Sequence, residues 1–263
     1  MKTDYLDLEA YVGVTKHLGG ISASRRLLEA CHVAEAREVL DVGCGIGVEP
    51  VRIATTTSAR VVGLDISDQM LAWADQRARE AGVRGRIELV RGDVLDLPFA
   101  SDRFDAVLCE SVLAFVEDKK RAIRELVRVT RPGGWVGLNE AFHVTDTASP
   151  KVASLVRRFT PGDLIALDGW KALWAGSGLR ERTVRVYRLE AGRELRDRLR
   201  WYGLMWALRG LGRAVRLYVT RPELRTLINS MVRALVEKAD DADPAKRKAV
   251  WVAMRYALFV GRK

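Results

Sequence analysis

A buried strand that runs straight into glycines at alternate positions constrains this chain more than any other feature. Residues 39–47 read Val39-Leu40-Asp41-Val42-Gly43-Cys44-Gly45-Ile46-Gly47. Gly43, Gly45 and Gly47 remove side chains where the backbone must turn tightly and come close to a ligand. The helix that follows aims its free N–H groups and the positive end of its dipole at whatever sits there. Dinucleotide loops need GxGxxG, whose third glycine allows close helix–strand packing. Here the spacing is GxGxG, and Val48 stands where that third glycine would be. Asp41, inside the strand, suits a ligand ammonium and would repel a pyrophosphate.

The glycine loop opens an alternating pattern. Short apolar runs predict strands at Glu38–Val42, Arg60–Leu64, Ile87–Arg91, Phe104–Cys109 and Trp135–Asn139. Helices are predicted near Val48–Thr55, Asp68–Ala81, Lys119–Val129 and Ser111–Val116, with a turn at Pro132-Gly133-Gly134. Strand–helix alternation with near-continuously apolar strands means a parallel sheet covered on both faces. Later come a helical stretch at Gly162–Ala175, a strand at Thr183–Arg188, a helix starting at Thr220-Arg221-Pro222-Glu223 and a last strand at Arg255–Val260. Leu224, Leu227, Ile228, Met231 and Leu235 form an apolar stripe at helical spacing.

Acids and apolar residues punctuate the strand ends. Asp65 stands 18 residues after Gly47. There it suits both hydroxyls of an unmodified ribose; the competing reading is a helix cap. Ile66 and Met70 offer apolar cover for an adenine face. Gly92-Asp93-Val94 ends the third strand, with Asp93 able to accept from an exocyclic amine and Val94 to cover the purine edge. The competing reading of Asp93 is a turn residue bonding its own loop. Glu110-Ser111 ends the fourth strand. Together these describe S-adenosylmethionine (SAM), a ligand with an amino-acid end, a cationic sulfonium, a ribose and an adenine. Cys44 reads as a small filler within this loop.

The stretches VLDVGCGIG (39–47), VVGLDIS (61–67), RGDVLDLPF (91–99), FDAVLCESVLAFVED (104–118) and VTRPGGWVGLNE (129–140) resemble the motif series of class I SAM-dependent methyltransferases. More narrowly, they resemble the small-molecule branch that includes the ubiquinone/menaquinone-biosynthesis and tocopherol-type enzymes. The resemblance is strong over residues 37–142. It implies an α/β fold with a Rossmann-like doubly wound sheet, mostly parallel with an antiparallel last strand, and a helical cap inserted near the C-terminus. The expected units are an N-terminal helical lid (1–36), a SAM-binding core (37–191), a helical insertion over the acceptor site (192–250) and a final helix end and strand (251–263). The resemblance further implies that Asp41, Gly43, Gly45 and Gly47 hold the methionine end and Asp65 the ribose. Ile66 and Met70 would flank the adenine, Asp93 and Val94 would read its amino edge, and the Glu110 backbone carbonyl would sit by the sulfonium.

Methyl transfer needs chiefly that donor and acceptor be held at near-attack distance with water excluded. In some cases a base must also remove a proton from the acceptor. His17, Glu140 and His143 are the candidate catalytic residues. His17 lies in a glycine-hinged segment that in related enzymes folds over the cofactor. Glu140 follows the fifth strand at the carboxyl edge, where ligands bind in open α/β sheets. Tyr11, Trp201, Tyr202, Met205 and Trp206 are candidate contacts to the acceptor, with Leu204, Leu208 and Leu211 adding pliable apolar surface. No metal site is expected. The three cysteines, Cys31, Cys44 and Cys109, are isolated, which argues against a disulfide framework.

Charge narrows the partners. Of 263 residues, 48% are hydrophobic and 30% charged, and the net charge is +10. The segment 180–233 holds 14 arginines, no lysine and 5 acids. Arg198, Arg209, Arg213 and Arg216 fall near one helical face, suited to anionic lipid headgroups or to a polar acidic metabolite as acceptor. A non-catalytic SAM- or RNA-binding regulator is the reading of another class. Glu110-Ser111-Val112-Leu113 lacks the proline-rich aromatic motif of amino methyltransferases acting on DNA and RNA, so nucleic acid is not the expected substrate. An acidic N-terminus and uncharged runs too short for a bilayer make the expectation cytoplasmic, with peripheral contact to a membrane surface.

Overall fold

The computed structural model describes residues 10–13, 19–142, 165–188, 204–222, 225, 229 and 255–263. Seven strands make one sheet: β1 (Glu38–Val42), β2 (Arg60–Asp65), β3 (Ile87–Arg91), β4 (Phe104–Glu110), β5 (Thr130–Phe142), β6 (Arg180–Arg188) and β7 (Arg255–Arg262). Their order across the sheet is β3-β2-β1-β4-β5-β7-β6. The strands from β3 to β5 pair in parallel, and β7 runs antiparallel to both β5 and β6. This is the doubly wound sheet with one antiparallel strand that the motif series implied. The strand order reverses between β1 and β4, which places a crevice at their carboxyl ends.

Helices cover both faces. α1 (Gly20–Ala30), α2 (Val48–Thr56) and α3 (Asp68–Glu80) lie on one face; α4 (Lys119–Val129) and α5 (Leu167–Ala175) lie on the other. All seven residues of β4 are buried, which is why this central strand is apolar on both faces. α4 forms where Ala122, Ile123, Leu126 and Val129 line one buried stripe. The Asp118 carboxylate caps it, accepting from the Arg121 amide at 2.8 Å. The far face is closed by Trp170 and Trp174, both packed on Phe259 of β7.

Three expectations change. The helix expected at Ser111–Val116 is a single 3-10 turn over Leu113–Phe115. Pro132-Gly133-Gly134 is a bulged stretch of β5 rather than a turn before it: Gly133 has φ 81°, and the two glycines exchange backbone bonds with Lys263. The helix expected to start at Thr220-Arg221-Pro222-Glu223 does resume at Pro222, after the non-helical Arg221. What differs is Thr220, which ends α6 (Leu204–Thr220) with its hydroxyl donating to the Arg216 carbonyl at 2.8 Å. Of the expected insertion 192–250, the described residues are α6 and a few positions after it. The stripe from Leu224 to Leu235 lies outside the described residues.

Candidate functional site

The glycine loop is built against the end of β2. The Gly43 and Cys44 amides both donate to the Leu64 carbonyl, at 2.7 and 3.0 Å. The Gly45 amide donates to Asp65 Oδ2 at 2.9 Å, and the Ser67 amide to Asp65 Oδ1 at 2.9 Å. Asp65 therefore ties the glycine loop to the start of α3 and keeps acceptor capacity for a further donor. Burial pushes its pKa up, opposed by the Ser67, Gly45 and Ile66 amides. It does not cap α3: Ser67 does, its hydroxyl accepting from the Met70 amide at 3.3 Å.

Gly43, Gly45 and Gly47 all have φ between 52° and 76°, in the left-handed region. Two of them are also demanded by packing within the chain. A Cβ on Gly43 would sit 2.2 Å from Val112 Cγ2, and one on Gly47 would sit 2.8 Å from the Ala74 Cα of α3. Sequence reasoning assigned this missing bulk to a ligand. For these two glycines the structure gives it to the loop after β4 and to α3.

Around the loop, Ile46, Val48 and Met70 form a small cluster with Ala10 of the N-terminal segment. Ile66, beside it, is 60% exposed, an apolar face open to a planar partner. Asp93 is exposed and its Oδ1 accepts from the Leu95 amide at 2.9 Å, so the turn reading holds for that oxygen. Val94 is buried. Cys44 is buried, and burial first, then the Asp65 and Asp41 carboxylates, raise its thiol pKa well above the ordinary value. It is a filler, not a nucleophile.

The carboxyl edge of the sheet carries four buried carboxyl groups: Asp41, Asp65, Glu110 and Glu140. A carboxylate that stays ionised at such an edge favours a cation over an anion as its neighbour. Glu110 Oε2 accepts from Ser24 Oγ of α1 at 2.9 Å and from Asn139 Nδ2 at 3.0 Å. Its side chain thus serves the α1–β5 contact. Ser111, next in line, takes φ 60° and donates its amide to the Asn139 carbonyl at 2.7 Å. That is a rare conformation for serine, and it marks the sharp exit from β4.

Glu140 is fully buried, and its Oε1 accepts from the Val112 and Leu113 amides at 3.1 and 2.8 Å. Burial pushes its pKa up to about 8, against the pull of the Leu113, Val112 and Ala114 amides and of Lys119. The expectation of an open base at the edge of the crevice is corrected: the carboxyl is folded under the loop after β4. That loop delivers Val112 onto Gly43, so β5, the loop and the glycines form one linked assembly. Sequence reasoning missed Val112, because nothing in a lone valine marks it as the packing partner of a glycine 69 positions earlier.

The N-terminal segment reaches the same edge. Trp73 Nε1 of α3 donates to the Ala10 carbonyl at 2.8 Å, and Arg213 Nε of α6 donates to the Val12 carbonyl at 2.7 Å. The Arg213 guanidinium lies 4.5 Å from the Trp73 ring centroid. Tyr11 is exposed. His17, His143, Trp201 and Tyr202 lie outside the described residues. Met205 and Trp206 belong to α6, but their side chains also lie outside the described residues. Among the described residues, no group of three or more His, Cys, Asp or Glu side chains is placed to hold a metal ion.

Comparison with known proteins bears on this edge directly. A family model described as "Methyltransferase domain" matches residues 40–138, from β1 to β5. The chain is 31% identical over 163 residues to Methyltransferase GfsG of Streptomyces halstedii, covering 61% of this chain and 59% of that protein. It is 33% identical over 144 residues to 27-O-demethylrifamycin SV methyltransferase of Amycolatopsis mediterranei, covering 54% and 53%. The match thus spans a little over half the length of these relatives. Phosphoethanolamine N-methyltransferase 2 of Haemonchus contortus, solved with SAM, shares the fold: TM-score 0.68 at 18% identity, over 98% of this chain and 57% of that one.

Proposed function

We propose that the chain, whose residues 40–138 match a methyltransferase-domain model, is a class I SAM-dependent methyltransferase that methylates a small, lipophilic or aromatic acceptor. S-adenosylmethionine, bound at the carboxyl edge, supplies an electrophilic methyl group and leaves as S-adenosylhomocysteine. The observation that carries the reading is the pair of buried carboxyl groups Asp41 and Asp65 beside a loop of left-handed glycines, with Asp65 bonded to the Gly45 amide. Such an edge fits a cationic ligand and opposes a diphosphate.

The chain's own residues divide the work. Asp41 and the glycine loop take the amino-acid end. Asp65 accepts the ribose hydroxyls on its remaining lone pairs. Exposed Ile66 and buried Met70 bracket the adenine, and the free oxygen of Asp93 takes its amine beside Val94. Glu140 acts as a positioning residue: it holds the loop after β4, whose Val112 sits on Gly43. His17 and His143 remain the proposed proton acceptors on the acceptor side. Tyr11, Trp201, Tyr202, Met205 and Trp206 are proposed to line its pocket. The acceptor class is supported by the aromatic content of 201–206 and by the small molecule that the rifamycin relative's name specifies.

Calorimetry with SAM, S-adenosylhomocysteine, NAD and ATP tests the cofactor. Heat with the first two and none with the others is expected; the reverse pattern would sink the reading. A panel of quinones, phenols, amines and polar acids, followed by S-adenosylhomocysteine release, tests the acceptor. Turnover confined to polar acids would remove the lipophilic part and leave the methyl transfer standing.

A further inference from the structure

Among the described residues, α6 carries an apolar stripe that is left exposed. Leu208, Leu211, Val215, Tyr218 and Val219 are 37–68% exposed, and they are five of the eight exposed large apolar side chains among the described residues. At about 100° per residue they fall within an arc of roughly 100° on one side of the helix. Arg213 projects from the opposite side, where its bond to the Val12 carbonyl and its place over the Trp73 ring fasten α6 to the protein. The stripe therefore faces directly away from the face by which the helix is anchored.

The charges around the stripe are all of one sign. Residues 204–222 hold Arg209, Arg213, Arg216 and Arg221 and no acid. The expectation that Arg209, Arg213 and Arg216 share one lipid-facing surface is corrected. Arg213 turns inward, and Arg209 lies 3.8 Å from Glu80. Arg216 stays exposed along the flank of the stripe. Tyr218, whose hydroxyl donates to Asn229 Oδ1 at 3.1 Å, gives the stripe an amphipathic rim. Among the described residues no helix is long and apolar enough to cross a membrane. An open apolar face flanked by arginine matches a surface that is apolar below and anionic above.

We propose that α6 docks the protein on an anionic lipid bilayer, with Leu208, Leu211, Val215 and Val219 seated among the acyl chains and Arg216 among the headgroups. Docking does not depend on which acceptor is methylated. It would place the segment held by Arg213 about one helix diameter, roughly 10 Å, from the bilayer surface.

Co-sedimentation with phosphatidylcholine vesicles, with and without about a quarter phosphatidylglycerol, tests this. The intact chain should pellet with the anionic vesicles at least ~10-fold more than with the neutral ones, and lose most of that binding in high salt. V215Q/V219Q should reduce binding ~10-fold or more and R216Q by a few fold, since about 1 kcal/mol attaches to each basic residue near such a surface. Far-ultraviolet circular dichroism and SAM calorimetry should be unchanged, separating loss of docking from loss of fold. Equal binding to both vesicle types, or to none, overturns the proposal. So does a concentration-dependent dimer that V215Q/V219Q abolishes without vesicles, which would assign the stripe to a second copy of the chain. SAM calorimetry reports on the cofactor independently of all these outcomes.

Discussion

The edge where β1, β2, β4 and β5 end and the outer helix α6 are built on opposite principles. At the strand ends nearly every group is tied twice. Asp65 holds two amides, Glu140 holds two more, and Gly43 and Gly47 are closed over by Val112 and Ala74. α6 is fastened to the N-terminal segment through one arginine and shows the solvent a row of leucine and valine. Rigidity is concentrated where atoms must be positioned to within fractions of an ångström. Where a surface meets a large partner, the chain leaves its bonding capacity open. Substitutions at the edge should therefore be felt throughout the fold, and substitutions on the outer face of α6 only in binding.

The largest effect expected is at Gly47. Alanine there meets the Ala74 backbone at 2.8 Å and must hold φ 76°. Backbone cannot yield as a side chain can, so Gly47→Ala should cost about 2–4 kcal/mol from left-handed strain and overpacking together. Urea denaturation measures it, and a loss under about 0.5 kcal/mol would break the contrast. Gly43→Ala meets only the rotatable Val112 methyl and should cost less.

Next comes Glu140. Glu140→Ala leaves the buried Leu113 amide and the part-buried Val112 amide without their acceptor, at about 1–3 kcal/mol in total since the second can reach water, and should lower kcat more than SAM affinity. Glu140→Gln keeps the acceptor oxygen and should rescue most of the loss. The pair also separates by pH. With its folded pKa raised from 4.5 to about 8, native Glu140 holds a proton that the unfolded chain has released. Its contribution to stability is complete below about pH 4.5 and is lost as the pH rises toward about 8. Glu140→Gln should flatten that decline, so parallel stability profiles for the two proteins would refute the buried state of the group.

Asp65→Asn is expected to be smaller in stability and larger in ligand binding. It weakens SAM affinity by roughly 10–100-fold, as charge-assisted bonds to loop and ribose become neutral ones. Arg213→Gln comes last among these, removing one bond and one cation–π contact worth about 1 kcal/mol each. Limited proteolysis near residue 12 should quicken while the thermal midpoint barely moves. A global loss comparable to Gly47→Ala would mean that α6 belongs to the rigid part after all.

Much of the strand-end region was legible in the sequence because its information is local. The short apolar runs at Glu38–Val42 and Ile87–Arg91 and the helical pattern at Lys119–Val129 placed those elements to the residue. The GxGxG spacing argues against a dinucleotide loop from the sequence alone, since steric and electrostatic demands act within a few residues there. Thr220 was misread because a threonine hydroxyl can cap the next helix or back-bond the last one with the same local sequence. Glu140 was misread because position along a strand says which edge a residue reaches, not which groups wait for it there.

The amino-acid sequence alone determined the succession of the strands along the chain and the residues at their carboxyl ends. These follow from short-range periodicity and from the chemistry of each side chain. Only the tertiary structure decided that Val112 fills the space over Gly43, that Glu140 faces inward and that Arg213 turns away from its neighbouring arginines. Those choices rest on contacts between segments 27 to 201 residues apart, and which of them form depends on how the layers pack.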